Sequence, residues 1–269
     1  MAVSSDGIVT VVSDLPWAAA KVTIVWGSIY NVWTTTVVRT NPDGSSVTLR
    51  SGDNTLSPGG SVFCYDFEAP LGVPCTYRAF GYTAAGALTR TSTTAVLASV
   101  GTVARQVGWI KSLAVPGLSV DLTVASVTTK RSRSQKVFAV PGRANPVVWE
   151  DVMSGRVGVL TVVALTAADR GGLRALLTAG GPAHIQFDPA LGLADAFVVF
   201  ADDQETPLGP RAAANSQFPL SYTEIDRPAT AGVPLSIPGW TNDIVLTRYA
   251  TWAAFDAAFA TYLTQTAGP

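Results

Sequence analysis

Apolar and polar positions alternate in short runs from residue 8 to about residue 97, and nothing there repeats at helical spacing. Val22, Ile24 and Trp26 belong to one side of a strand, Thr23 and Val25 to the other. Residues 36–40 lead through Asn41-Pro42-Asp43-Gly44 into residues 46–50. Pro42 presets φ for a turn and Gly44 tolerates positive φ, so a short-loop hairpin is expected there. Residues 61–65 and 75–82 read as further strands, and Ala84-Ala85-Gly86 turns the chain into a Thr-rich last strand through Val96. Short strands at this spacing predict a β-sandwich over residues 1–97.

The pattern relaxes into Gly and small residues over 98–106, and a second unit is expected over residues 98–269. It reads as strands around residues 137–140, 147–148, 158–165, 183–187, 196–200 and 217–226, with a Gly142-Arg143 turn between the first two. One helix interrupts them. Thr166 caps it, Asp169 stands where a capping box needs an acid, and Leu173, Leu176 and Leu177 share a face before Gly180-Gly181-Pro182 stops it. Gly171 and Gly172 each weaken that helix by about 1 kcal/mol against alanine, so packing must hold it. Near the C-terminus, Trp252, Phe255, Phe259 and Tyr262 fall on one helical stripe, a core or interface face.

Composition alters this picture in one respect. Only 14% of the 269 residues are charged, and the net charge is -1, against about 25% charged in ordinary soluble chains. Such a balance offers no electrostatic footprint for nucleic acid or an anionic membrane. A weakly charged chain with no 20-residue apolar span points to a surface covered by other subunits, hence an assembly component. The start, Met1-Ala-Val-Ser-Ser-Asp6, has neither the basic nor the apolar segment of a signal peptide.

Candidate chemistry is sparse. The single histidine, His184, lies in an alternating strand-like run without companion triad motifs, where a paired structural role is expected. Cys64 and Cys75 flank a Gly/Pro turn; they are expected to be buried free thiols, although two facing strands would also let them pair. Asp66 and Glu68 share a strand face at the spacing of a glycosidase pair, but the turn that follows argues for a solvated loop end. Asp202-Asp203-Gln204-Glu205 lacks the spaced ligands and glycine of a calcium loop and reads as a surface hairpin tip. Lys130, Arg131, Arg133 and Lys136 form the one basic cluster, expected at an exposed hairpin tip that either pairs with a neighbour's acids or faces a DNA-bearing lumen. Neither a catalytic site nor a cofactor or metal site is expected.

Several phrases carry a family resemblance. Gly72-Val-Pro-Cys75-Thr-Tyr77-Arg-Ala-Phe80, followed by Gly81-Tyr-Thr-Ala-Ala-Gly86, resembles the last two strands of a fibronectin type III domain, with Tyr77 as the corner tyrosine. Tyr65-Asp66-Phe67-Glu68-Ala69-Pro70-Leu-Gly-Val-Pro74 resembles a phrase of minor tail proteins of siphophages infecting actinobacteria, and Gly108-Trp109 through Val120 resembles the entry to their second domain. Arginine outnumbers lysine 14 to 4, in keeping with a GC-rich host.

The resemblance implies a mainly β chain: a fibronectin type III or Ig-like sandwich, then a split β-barrel of the tail-tube and distal-tail kind with one internal and one C-terminal helix. It implies a non-enzymatic virion protein of the phage tail tip, or baseplate, made in the host cytoplasm, that forms or decorates a ring at the distal end of the tail tube. The partners it implies are further copies in a closed hexamer or trimer, the tail tube protein, the tail hub, other minor tail proteins and the tape measure. Membrane contact and sequence-specific nucleic acid binding are not among them. The interface residues expected are Lys130, Arg131, Arg133, Lys136, Trp252 and Phe255. The alternative reading is a carbohydrate-binding module for host-surface adhesion, displaying Trp17, Trp33, Trp149 and Trp240 to sugars.

Overall fold

The computed structural model describes residues 1–27, 31–101, 107–138, 141, 145, 147–209 and 215–229. The fold is mainly β, and the described residues contain a single α-helix.

The first strands in chain order are β1 (Ala2–Val3), β2 (Val9–Asp14), β3 (Ala19–Val25), β4 (Thr34–Thr40), β5 (Ser46–Thr48), β6 (Thr55–Leu56), β7 (Ser61–Asp66), β8 (Cys75–Tyr82), β9 (Leu88–Thr91) and β10 (Ala95–Leu97). They make two sheets. One runs β1-β2-β3-β7; the other runs β10-β8-β4-β5, with β6 on β4 and β9 on β8. Val22, Ile24 and Cys64 from the first sheet and Val37, Tyr77 and Ala79 from the second meet in one buried cluster. Alternation explains this: β3 and β8 each bury every other side chain, so each sheet has one apolar face to cover. The β4–β5 hairpin forms as expected, and Gly44 at its turn has φ 82°. The Thr-rich last strand is split into β9 and β10, which pair with different parts of β8.

The next strands are β11 (Val107–Ser112), β12 (Val120–Lys130), β13 (Arg133–Phe138), β14 (Val147–Met153), β15 (Val157–Ala164), β16 (Ala183–Phe187), β17 (Ala196–Asp203), β18 (Thr206–Pro207) and β19 (Ser216–Ile225), with α1 (Ala167–Ala179) between β15 and β16. Here the sheet order is β15-β12-β11-β16-β17-β19, and β15 also pairs with β19 along its whole length. The circuit through these six strands is therefore closed into a barrel, and the two-residue β18, paired with β19 alone, is added beside it. Ile110, Leu122, Leu160, Val198, Phe218 and Leu220 fill it. No described strand before residue 98 pairs with one after it.

Helix α1 forms as its capping residues dictate. The Thr166 hydroxyl accepts from Asp169 N, and the Asp169 carboxylate accepts from Thr166 N. Leu173 and Leu176 are buried in the barrel cluster, and Leu177 is partly buried against it. The two weak glycines differ in role. A methyl group on Gly172 would stand 2.9 Å from Val120 Cγ1, so that glycine lets α1 approach β12 closely, whereas Gly171 faces open space.

Strands β12 and β15 do not stop at the barrel wall. Beyond a bulge at Val124/Ser126 they continue, through short breaks, as the two-stranded ribbon β13–β14. The crossing at the rim is tight: a Cβ on Gly158 would lie 1.9 Å from Thr128 O, so only glycine fits. Arg156 fixes the return bend, its Nε and Nη2 donating to the Glu224 carboxylate at 3.0 and 2.8 Å.

The basic cluster is thus not a hairpin tip. Lys130 ends β12, Arg131 lies in the break, and Arg133 and Lys136 lie on β13; all are exposed. The cluster flanks a bend halfway along a ribbon, because β13 resumes the same antiparallel pairing two residues later. Gly142, Arg143, Trp240 and the aromatic stripe Trp252, Phe255, Phe259 and Tyr262 lie outside the described residues.

Candidate functional site

The most elaborate cluster of polar side chains lies where the first unit meets the barrel, centred on residues 65–69. This run ends β7 and enters a turn, so its groups are not used up by strand pairing. Each residue has a separate partner. Tyr65 donates its hydroxyl to Asp14 Oδ2 at 2.8 Å. Both Asp66 oxygens accept from Arg39 Nη1, at 2.9 and 2.8 Å, and Oδ2 also accepts from the Tyr77 hydroxyl at 3.0 Å. Phe67 O accepts from Lys111 Nζ at 2.7 Å, and Ala69 O from Gln186 Nε2 at 2.8 Å.

Glu68 sits between two guanidiniums. Nε and Nη2 of Arg50 donate to Oε1 at 2.8 and 2.6 Å, and the same atoms of Arg227 donate to Oε2 at the same distances. Arg227 Nη2 also reaches Thr48 O, and Arg50 Nη1 reaches Ala229 O, both at 2.9 Å. The chain leaving β19 is thereby tied to the first unit.

Asp66 and Glu68 were expected at a solvated loop end, and the structure corrects this. Both are buried, at 4% and 5% exposure. The turn after them faces the barrel instead of solvent, and ion pairs replace the lost water. Both Glu68 oxygens are thus held by guanidiniums.

The barrel contributes β11 and β16, which pair in register with Lys111 opposite His184. Strand β16 alternates Ala183, Ile185 and Phe187 into the barrel with His184 and Gln186 on the other side, yet every one of these is buried. The polar side is covered by the first unit. Lys111 donates to Phe67 O and to Ala18 O, both at 2.7 Å, and is fully buried. His184 stacks on Phe197 with ring centroids 4.4 Å apart, and its Nδ1 has no hydrogen-bond partner. Around these groups Ala19, Phe63, Tyr65, Phe67 and Leu113 form an apolar cluster of their own, with Trp17 and Phe197 against it.

The charge balance of this seam sets its titration. Arg39, Arg50, Arg227 and Lys111 outnumber Asp66 and Glu68. Burial, only partly offset by those carboxylates and Asp195, lowers the Lys111 ammonium to about 7. Burial and then the neighbouring Lys111 and arginine charges hold His184 well below the usual imidazole range. Burial also raises both thiols, Cys75 to about 11. Cys64 and Cys75 are buried and free, as the chain's two-cysteine count suggested.

The remaining expectations fall elsewhere. Asp202 and Asp203 end β17, and Gln204 and Glu205 link it to β18. Both strands pair with β19, so this is not the hairpin tip expected, and the partly buried Glu205 accepts from Arg174 and Ser216. The described residues contain no group of three or more His, Cys, Asp or Glu side chains placed to hold a metal. Trp17 packs at the seam; Trp149 is exposed on β14; Trp33 is exposed at a pocket beside Val32 and Leu56. Sequence reasoning missed Arg39, Arg50, Lys111, Gln186 and Arg227. For Lys111 and Gln186 the available signal was a charged or amide residue within an otherwise apolar strand, as in Trp109-Ile110-Lys111; Arg50 and Arg227 lie outside the strands and carried none.

No protein-family model matches the chain, and no curated protein matches it. What it does must be argued from its own residues.

Proposed function

We propose that the chain is a structural component of a phage tail tip, a virion protein that forms or decorates a ring at the distal end of the tail tube. One observation carries the reading: the ribbon β13–β14, projecting past a closed barrel, leaves Val137, Phe138, Val148, Trp149 and Met153 exposed. A two-stranded ribbon is marginal in water by itself, and apolar side chains grouped on it mark a protein-binding surface.

In a ring, each copy lays its ribbon against the next, a head-to-tail contact that closes after a fixed number of subunits. Since the barrel circuit has no free edge, contacts run through the ribbon instead of through barrel edges. Lys130, Arg131, Arg133 and Lys136, spread along the bend and β13, would steer that contact toward acids of a neighbour. On this reading the barrel is the split barrel of tail-tube and distal-tail proteins, and the first unit is a fibronectin type III-like sandwich with Tyr77 at its corner. The seam fixes the sandwich relative to the ring, so that it presents a constant face to the tail hub, the tail tube and other minor tail proteins.

Sequencing the DNA around the gene tests the reading. A very long, helix-rich tape-measure gene just upstream, with further tail genes after, is the expected result. A lone gene among sugar-metabolism or secretion genes would overturn it.

A further inference from the structure

On the first unit, away from the seam and the ribbon, a pocket of about 460 Å³ opens beside Val32, Trp33, Leu56 and Pro58, with Asn31 and Ser57 at its polar side. That volume falls within the roughly 300–1,000 Å³ of small-ligand sites. Trp33 and Leu56 keep 57% and 62% of their surface exposed, and a tryptophan held this way presents a flat apolar ring to whatever enters. Its backbone is already fixed: Trp33 N donates to Tyr82 O at 2.7 Å, and Trp33 O accepts from Ser57 N at 2.9 Å. Little ordering remains for a ligand to impose.

A proton count shows what the polar side requires. Trp26 Nε1, which can only donate, donates to Thr35 Oγ1 at 2.8 Å, and Thr35 Oγ1 lies 2.6 Å from Ser57 Oγ. The two hydroxyls share one hydrogen bond between them, so among the described residues one of their two protons has no acceptor. Thr35 is fully buried; Ser57 is nearly so, at 5% exposure, but it lines the pocket. Donation from Thr35 to Ser57 leaves the spare proton on Ser57, where an acceptor in the pocket can meet it. Water meets this donor in the open pocket, and an occupant that displaces the water without an acceptor of its own forfeits about 1–3 kcal/mol.

We propose that this pocket binds one pyranose unit of a glycan. The occupant needs an apolar face for Trp33, an acceptor oxygen for Ser57 and further polar groups for the Asn31 amide. It also needs no charge, because among the described residues no charged side chain lines the pocket. A sugar ring has all four: its C–H groups gather on one face and its hydroxyls lie around the rim. A wholly apolar ligand leaves Ser57 unmet, and an ionic one finds no counter-charge. The proposal stands apart from the tail-tip reading and holds whether or not the chain assembles into a ring.

The test uses the full chain, with methyl α-D-glucopyranoside, methyl α-D-mannopyranoside, methyl β-D-galactopyranoside and N-acetylglucosamine as probes up to about 50 mM. Saturation-transfer NMR and tryptophan fluorescence report binding to wild type, Trp33→Ala and Leu56→Arg. Saturable binding of at least one probe, weakened about tenfold or more in both variants with thermal melting unchanged, is the expected result. Leu56 is exposed, so Leu56→Arg keeps the test decisive should Trp33→Ala fold poorly. No saturable binding by any probe, or binding that both variants leave intact, would overturn the site.

Discussion

Arg227, two residues past the last barrel strand, donates Nε and Nη2 to Glu68 Oε2 at 2.8 and 2.6 Å across a separation of 159 positions. With Arg50 on the other oxygen, one carboxylate joins two parts of the first unit to the end of the barrel. Removing it leaves two guanidiniums without their anion, Arg50 fully within the seam. Glu68→Ala should therefore cost about 3–5 kcal/mol in denaturant unfolding, the range for breaking a buried pair from one side. An unchanged denaturation midpoint would show that the seam contributes little.

Acid should loosen the same seam. The Lys111 pKa falls from 10.5 to about 7 on folding, so between those values the unfolded chain binds more protons and stability rises with pH. Below about 7 the Lys111 cost is fully present. His184 is also depressed, so it adds a further loss as pH drops below its ordinary 6.5. Lys111→Met should remove the slope between pH 7 and 10 while leaving the one below 6.5. Equilibrium unfolding at a series of pH values checks this, and an unaltered slope in the variant would assign the dependence elsewhere.

The glycines make opposite predictions from identical chemistry. Gly171→Ala, on an open helical surface, should stabilise by about 0.5–1 kcal/mol. Gly158→Ala should lower the melting temperature by several degrees, since its methyl cannot coexist with Thr128 O unless the ribbon shifts. Differential scanning calorimetry of the two variants provides the comparison.

The ribbon should matter for assembly and not for folding. Phe138→Lys combined with Trp149→Lys changes exposed side chains only, so thermal stability should stay within about 0.5 kcal/mol. Incorporation into particles should be lost. Pull-down of tail components by tagged wild-type and variant chains reads out this difference.

How far the residues foretold these features depends on which face they serve. Val22 and Ile24 were legible because their side of β3 is the buried one, with Trp26 buried just beyond its end, and α1 was legible because Thr166 and Asp169 sit at capping distance. Strand β16 was legible as an alternating strand with a structural His184, but alternation does not tell that the first unit covers its polar side and buries all five residues. Asp66 and Glu68 were misplaced because local pattern cannot reveal that Arg39, Arg50 and Arg227 arrive from elsewhere in the chain. Barrel closure was equally hidden, since the β15–β19 pairing joins strands separated by a helix and three other strands. The bend that displaces the basic cluster from a tip into mid-ribbon rests on the pairing of β13 with β14, which the residue pattern does not state.

Immunogold electron microscopy tests the central claim most directly. Particles released from cells that carry the gene would be labelled with antibody raised against residues 1–97. The account predicts gold at one end of tail structures, at the tip distal to any capsid. Label confined to free protein, or to the cell surface with tails left bare, would contradict it.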